Sequence, residues 1–181
     1  MQEDDNAFVE PPILVVDYNP EWPKMYEDAA AQLREHIADI PHHMEHFGST
    51  AILGIAAKPI IDIMVVVKEL APYRERFVQA LRGLGYEGLY GDTFPDRLQY
   101  ARRREGDGMR THHVHVVQEY SDWRRRLAFR DYLRKHRDEA IRYERLKRKL
   151  AAKFGNDFQG YTEAKKDFIN TLIQWALDNP D

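Results

Sequence analysis

The chain of 181 residues contains no cysteine, which excludes disulfide bonds and thiolate chemistry. Any metal ion must therefore be held by histidines and carboxylates. No apolar run approaches the roughly 20 residues that a membrane helix needs, so no membrane partner is predicted. The first residues, MQEDDNAFVE, are acidic and polar and resemble neither a signal peptide nor a transit peptide. Together these absences predict a cytoplasmic protein.

Basic residues are scarce in the first part of the chain and dense later on. Residues 1–45 contain two Lys or Arg against eleven acids, whereas residues 121–153 contain thirteen against five. Such a basic block can attract phosphates or nucleic acid. A solvated helix surface with i,i+4 ion pairs explains the same pattern. Because no aromatic reading surface accompanies the block, nucleic acid is not the predicted partner.

The hydropathy pattern predicts an α/β fold with a mixed sheet, followed by a helical C-terminal half. The predicted domains are a tail (1–12), an α/β core (13–120) and helices packed on the same cleft (121–178). The IIDIMVVV run is apolar enough for a central strand covered on both faces. Strands are predicted at 13–17, in a short run ending at 47, at 58–67, and two or three times within 85–118. Helices are predicted from near 19 and at 73–84, 122–136, 138–153 and 158–177.

The segment HFGSTAILGIAAKPIIDIMVVV, residues 46–67, combines two patterns that carry chemistry. Gly48-Ser49-Thr50 follows a strand-like run and can present backbone N–H groups to an anion at a helix start. It is not a Walker loop, because the glycine spacing is one residue too long and Ile55 replaces the lysine. Lys58 precedes the buried strand, where it either meets a phosphate at the cleft mouth or lies on the surface.

The string HFGSTAILGIAAKPIIDI resembles the signature of the GrpB family, which is grouped with the DNA polymerase β-like nucleotidyltransferases. The resemblance continues in order through DYNPEW, THHVHV, FRDYLRKH, YERLK and YTEAKKDFI, from about Val15 to Ile173. It implies a nucleoside triphosphate at Gly48-Ser49 and a divalent metal at Asp62. The implied activity is nucleotidyl transfer to a small molecule or protein. The alternative is a non-catalytic nucleotide-binding module, linked to coenzyme A metabolism.

One residue departs from the superfamily pattern of Asp, an apolar residue and a second acid. Met64 stands where the second carboxylate would share a strand face with Asp62. His113 and His115 share a face of a later strand. If that strand neighbours Asp62, the three residues would form a two-histidine, one-carboxylate site. That donor set suits Mn²⁺, Fe²⁺ or Zn²⁺ better than Mg²⁺. Alternatively, the histidines only hydrogen-bond Asp62 without a metal.

The C-terminal helices repeat a tyrosine followed four residues later by a lysine. Tyr143 precedes Lys147 on one predicted helix, and Tyr161 precedes Lys165 on the next. The pattern indicates a basic wall facing the cleft, although a lysine beside a core stripe can also extend harmlessly to solvent. Arg110, before the histidine strand, is a further candidate for holding phosphate. A nucleotide or another phosphorylated small molecule is therefore the predicted partner.

Overall fold

The computed structural model describes residues 12–89, 94–121 and 125–179. Within these ranges the helices are α1 (Trp22–His36), α2 (Arg74–Gly83), α3 (Arg125–Lys135), α4 (Arg137–Phe154) and α5 (Phe158–Asp178). The strands are β1 (His43–Phe47), β2 (Ile61–Val67), β3 (Tyr86–Gly88), β4 (Arg97–Arg103) and β5 (Arg110–Gln118). No helix in these ranges is both long and apolar enough to cross a membrane.

The five strands form one mixed sheet in the order β1-β2-β5-β4-β3. Strands β2 and β5 run parallel, and every other neighbouring pair is antiparallel. This arrangement confirms the predicted α/β class with a mixed sheet. It also places the two strands that carry the candidate metal ligands side by side at the centre.

The two faces of the sheet pack against different helices. Ile61, Ile63 and Val65 of β2 belong to a large core with residues of α1 and α2. On the opposite face, Met64 and Val66 pack with apolar residues of β1 and β5 and with a residue of α3. Because alternate residues of a strand point to opposite faces, Asp62 lies on the face that the C-terminal helices approach.

The segment of residues 48–57, which we call the cradle loop, is fastened to α3 and α4. Ile52 and Ile55 of this loop are fully buried in a cluster formed with α3, α4 and α5. The loop backbone also receives direct side-chain hydrogen bonds from these helices. Arg134 donates to Ala51 O (2.9 Å), Arg137 donates to Leu53 O (2.9 Å) and Gly54 O (3.1 Å), and Lys147 donates to Ala56 O. In the opposite direction, the N–H of Ala56 donates to the carboxylate of Glu144 (3.0 Å).

Most predicted elements are present with small shifts in their ends. Three strands lie within 85–118, and the helices predicted at 138–153 and 158–177 correspond to α4 and α5. The helix predicted at 122–136 corresponds to α3, while residues 122–124 lie outside the described residues. The predicted tail lies outside them as well, apart from its last residue. The predicted boundary between the α/β core (13–120) and the helical half (121–178) stays a prediction.

Two predictions about local structure were wrong. The 13–17 run is not a strand, because Val16 forms a single isolated bridge to Ala57 instead of pairing with the sheet. Ile13 turns away and donates its N–H to Gly155 O at 2.8 Å. Gly48-Ser49 does not begin an α-helix: only a three-residue 3₁₀ turn, Ser49–Ala51, follows. The hydrogen bonds to α3 and α4 hold the following residues in a loop.

Candidate functional site

Asp62, His113 and His115 converge on the face of the sheet next to the C-terminal helices. The parallel register pairs Asp62 with His113 and Met64 with His115, so the three polar side chains share one face. Nδ1 of His113 lies 3.2 Å from Oδ1 of Asp62. Each of the three residues offers one ligand atom, and these atoms lie within 4.8 Å of one another. The predicted constellation of donors is therefore brought together by adjacent strands.

The environment keeps the donor groups in forms that can bind a cation. Burial raises the pKa of Asp62, but the hydrogen bond from His113 and the positive charge of Lys58 outweigh it and hold the pKa below its usual value. Burial lowers the pKa of His115 to about 3, so this imidazole is neutral at neutral pH. An ionised carboxylate and a neutral imidazole are the forms that coordinate metals.

The donors fit a single divalent cation and not the two-metal arrangement. Nε2 of His113 is buried and has no hydrogen-bond partner among the described residues, which leaves this ring atom available to a ligand. Met64, where a second carboxylate would stand, is fully buried with Phe47 and Val66 in an apolar cluster. Two-metal phosphoryl transfer needs ligands for both ions, and β2 supplies only one carboxylate on this face.

Gly48 brings the cradle loop into direct contact with Asp62. Its φ is +71°, a conformation that glycine adopts readily and L-residues avoid. A Cβ added at Gly48 would overlap Oδ2 of Asp62 and lie 2.8 Å from its Cγ. The absence of a side chain is therefore what allows the loop backbone to approach the carboxylate.

The hydroxyl groups that follow Gly48 have protein partners. Ser49 hydrogen-bonds to the phenol of Tyr143, whose pKa burial raises to about 12. The Thr50 hydroxyl is buried, donates to Ile60 O at 3.1 Å, and lies 3.1 Å from Nε2 of His46. Thr50 thus links the loop to the residues next to β1 and β2. The Ser49 hydroxyl, in contrast, lies beside α4.

Two of the lysines predicted to hold phosphate, Lys58 and Lys165, lie beside the ring of Tyr161. The Nζ atoms of Lys165 and Lys58 lie 4.1 Å and 5.4 Å from the centroid of its ring. Lys147 is 1% exposed and its ammonium donates to Ala56 O. The pKa of Lys165 is lowered by burial and by the charges of Lys58 and Lys147, and it is raised in turn by Asp62. Lys58 and Lys165 therefore interact electrostatically with the Asp62 carboxylate.

Arg110 lies on another side of Lys58. Together with Lys58, Pro59 and Phe158 it lines a pocket of about 30 Å³. That volume is enough for about one water molecule. Arg110 thus shares this small pocket with Lys58, one of the lysines of the candidate site.

Two further residues belong to this region and were not among the predicted site residues. Arg126 of α3 interacts by charge with Asp62, Tyr143 and Lys165. Tyr143 holds Ser49 and stacks on Phe168 with ring centroids 5.6 Å apart. The repeated Tyr-x-x-x-Lys pattern was a signal for Tyr143. Nothing in the local sequence distinguishes Arg126 from Arg124 and Arg125 beside it.

The comparison with solved structures first defines the class of fold. The Cid1 poly(U) polymerase in its MgGTP-bound form shares this fold with a TM-score of 0.52 and 14% identity. The similarity covers 74% of this chain and 42% of the polymerase chain. The chain thus has a nucleotidyltransferase-like fold with Asp62 and two histidines on its central strands.

The family follows from closer matches. A family model described as GrpB protein matches residues 12–174, and the chain belongs to this family. It is 32% identical to the glutamate-rich protein GrpB of Alkalihalophilus pseudofirmus over 163 residues, covering 89% of this chain and 94% of that protein. The crystal structure of the conserved protein GrpB from Enterococcus faecalis matches with a TM-score of 0.80 and 32% identity, covering 91% and 98% of the two chains. The predicted family is confirmed.

Proposed function

We propose that this protein binds a nucleoside triphosphate together with one divalent cation in the cleft between the sheet and the C-terminal helices. The observation that carries the proposal is the group formed by Asp62, His113 and His115, with one ligand atom from each within 4.8 Å. The nitrogen-rich donor set favours Mn²⁺ or Zn²⁺ over Mg²⁺. The bound cation would supply a positive charge that offsets the charge of the phosphates.

The residues around the cation site have separate roles in this proposal. Asp62 supplies the anionic ligand, and the loop backbone at Gly48 closes the site from one side. In this proposal the phenol of Tyr143 donates to Ser49 on ligand binding, which leaves the Ser49 hydroxyl proton for a phosphate oxygen. Lys58 and Lys165 supply positive charge on the helical side of the cleft.

Nucleotidyl transfer is the second candidate, and it is supported by the fold shared with the MgGTP-bound Cid1 poly(U) polymerase. An acceptor oxygen would bond to the α-phosphorus, the bond to the pyrophosphate oxygen would break, and the acceptor proton would pass to solvent. The buried Met64 favours binding without transfer. Release of labelled pyrophosphate separates the two candidates.

Metal-dependent nucleotide binding is tested with metal-stripped protein in a thermal-shift and calorimetric series. The ligands are each nucleoside triphosphate and coenzyme A, with and without Mn²⁺, Zn²⁺ and Mg²⁺. Binding to the folded state at a hundredfold excess over Kd stabilises it by about 2.7 kcal/mol, which raises Tm by several degrees. We expect Asp62→Asn and His113→Gln to weaken Mn²⁺ binding by about tenfold or more, because each removes a charge or lone pair from the donor group.

The matched control is His36→Gln on the exposed surface of α1, which should bind Mn²⁺ as the unaltered protein does. Equal Mn²⁺ affinity in Asp62→Asn, His113→Gln and the control would overturn the metal site. A nucleotide shift that is indifferent to metal in all three variants would leave a nucleotide site but remove the cation from it.

A further inference from the structure

Strand β5 lies between β2 and β4, so each of its two candidate ligands has a residue directly opposite it on either side. Asp62 of β2 stands opposite His113, and Gln99 of β4 stands opposite His115. The other two opposite positions hold apolar residues, Met64 and Ala101. Residues directly opposite each other on adjacent strands share a face of the sheet. Each histidine therefore has one polar cross-strand neighbour on the face of the candidate site.

The side chain of Gln99 is directed at the ring of His115. Gln99 is buried, and its amide nitrogen lies 3.4 Å from Nδ1 of His115. Glutamine is mostly exposed in folded proteins, and the polar groups of a buried side chain need partners. This buried amide therefore makes its hydrogen bond to a candidate metal ligand.

Both histidines use the same ring nitrogen for their cross-strand neighbour. Nδ1 of His113 lies 3.2 Å from Oδ1 of Asp62, just as Nδ1 of His115 lies beside the amide of Gln99. Nε2 of His113 is buried and has no hydrogen-bond partner among the residues that the structure describes. Nε2 is also the nitrogen of His115 that can coordinate a cation while Nδ1 keeps its neighbour.

The amide of Gln99 can serve His115 in either of its neutral forms. A neutral imidazole carries one proton, and a metal is coordinated by the nitrogen that lacks it. With the amide nitrogen towards Nδ1, Gln99 donates, and the proton of His115 is on Nε2. Rotating the amide by half a turn presents its carbonyl oxygen, which accepts a hydrogen bond from a proton on Nδ1. Only this second form leaves Nε2 able to coordinate.

We infer that Gln99 is a positioning residue that places the proton of His115 and so controls whether Nε2 of this ring coordinates the cation. The inference rests on the proposed function, because it concerns the same divalent cation. In the cation-free protein the Gln99 amide donates to Nδ1. On cation binding, Nε2 releases its proton to solvent, Nδ1 takes one up, and the turned Gln99 carbonyl accepts from it. The ring stays neutral, and its number of protons is unchanged.

The test measures the affinity of metal-stripped protein for Zn²⁺ and Mn²⁺ by calorimetry. Gln99→Met keeps the length of the side chain but loses the amide, so both affinities should fall by about tenfold or more, as is typical when the partner of a ligating histidine is removed. Gln99→Glu keeps an acceptor for the proton on Nδ1 and should restore the affinity. Gln118→Met is the matched control, because Gln118 lies on the other face of β5 and accepts from Leu70 N–H at 3.2 Å. It should bind both ions like the unaltered protein.

The ¹⁵N NMR signals of the His115 ring report the position of its proton directly. We expect the proton on Nε2 in the Zn²⁺-free protein and on Nδ1 in the Zn²⁺-saturated protein. Zn²⁺-free Gln99→Met should show a mixture of the two forms, since nothing then distinguishes the two nitrogens at Nδ1. The His115→Gln variant assigns the signals by their loss. A glutamine that only fills space would leave the proton where it is when replaced by methionine.

Three results would overturn the inference. They are unchanged Zn²⁺ affinity in Gln99→Met, equal losses in Gln99→Met and Gln99→Glu, and the same proton position with and without Zn²⁺. Asp62→Asn separates these results from a failure of the proposed function. If Asp62→Asn weakens Zn²⁺ binding and Gln99→Met does not, the cation site stands and Gln99 has no part in it. Equal affinity in every variant, Asp62→Asn included, would overturn the cation site itself. Far-ultraviolet circular dichroism establishes that each variant is folded before it is titrated.

Discussion

Gly48→Ala is expected to lower the free energy of unfolding by about 2–4 kcal/mol, and urea unfolding measures this change. Two effects combine at this position. The φ of +71° is strained for alanine, and the added methyl group would overlap the carboxylate of Asp62. Because both effects arise inside the candidate site, the variant should also lose Mn²⁺ binding.

Gly106→Ala separates the two contributions. Gly106 has a φ of +93° but no atom within 4 Å of an added Cβ, so this variant carries the backbone strain alone. Repeating Gly48→Ala in an Asp62→Ala background removes the contacts with Oδ2 and Cγ but keeps the one with the Asp62 Cβ at 3.0 Å, so it should bring the cost closer to that of Gly106→Ala. If Gly48→Ala and Gly106→Ala cost the same in the unaltered background, the close approach of loop and carboxylate would be disproved.

Arg130→Met is expected to lower the free energy of unfolding by about 2–3 kcal/mol. The guanidinium of Arg130 is buried, and it donates to Glu45 at 2.6 Å, to His46 O at 2.7 Å and to Asp131 at 2.7 Å. Methionine keeps most of the apolar stem but leaves these acceptors without their donor. The value lies below that of a fully buried broken ion pair because Glu45 and Asp131 are partly exposed.

The effect of Arg130→Met should depend on pH with a defined sign. Burial raises the pKa of Glu45, but the hydrogen bond and the charge of Arg130 outweigh it and lower the pKa below its usual value. The stabilisation is therefore complete above the unfolded pKa of Glu45 and is lost as pH falls through the lower folded value. Urea unfolding at pH 7 and pH 3 should show the difference between variant and unaltered protein shrinking at pH 3.

Arg76→Ala provides the comparison for Arg130→Met. Arg76 binds Asp39 through two hydrogen bonds, but both side chains are exposed to solvent. Its removal should leave the unfolding midpoint close to that of the unaltered protein, since water replaces an exposed ion pair at little cost. A loss in Arg76→Ala as large as that in Arg130→Met would show that burial of the guanidinium is not what matters.

The sequence predicts the part of the site that depends only on the spacing of residues within one strand. The i,i+2 spacing of His113 and His115 places them on one face of any strand. Their position beside Asp62 depends on the parallel pairing of β2 with β5, which bridges 51 positions of sequence for Asp62 and His113. Neither the spacing nor the family resemblance predicts that pairing, so from the sequence the three-residue site was conditional on the two strands being neighbours.

The predictions that failed depended on contacts between distant residues. ILVVD has the composition of a strand, but its backbone pairs with Ala57 of the cradle loop at one point only. Arg130 is one of thirteen basic residues in its region, and only the folded chain distinguishes it by placing it against Glu45 and His46. Hydrophobic periodicity indicates which face of a segment is buried. It does not indicate which distant carbonyl or carboxylate a side chain will contact.

The fastening of the cradle loop has a consequence for how the protein folds. The side-chain partners of the loop backbone lie 83–91 positions further along the chain. During synthesis from the N-terminus, the loop therefore emerges long before the helices that bind it. Water must satisfy its carbonyl and amide groups until α4 has been made. The cleft is thus completed late in folding, and contacts over such sequence separations predict slow folding for this part of the molecule.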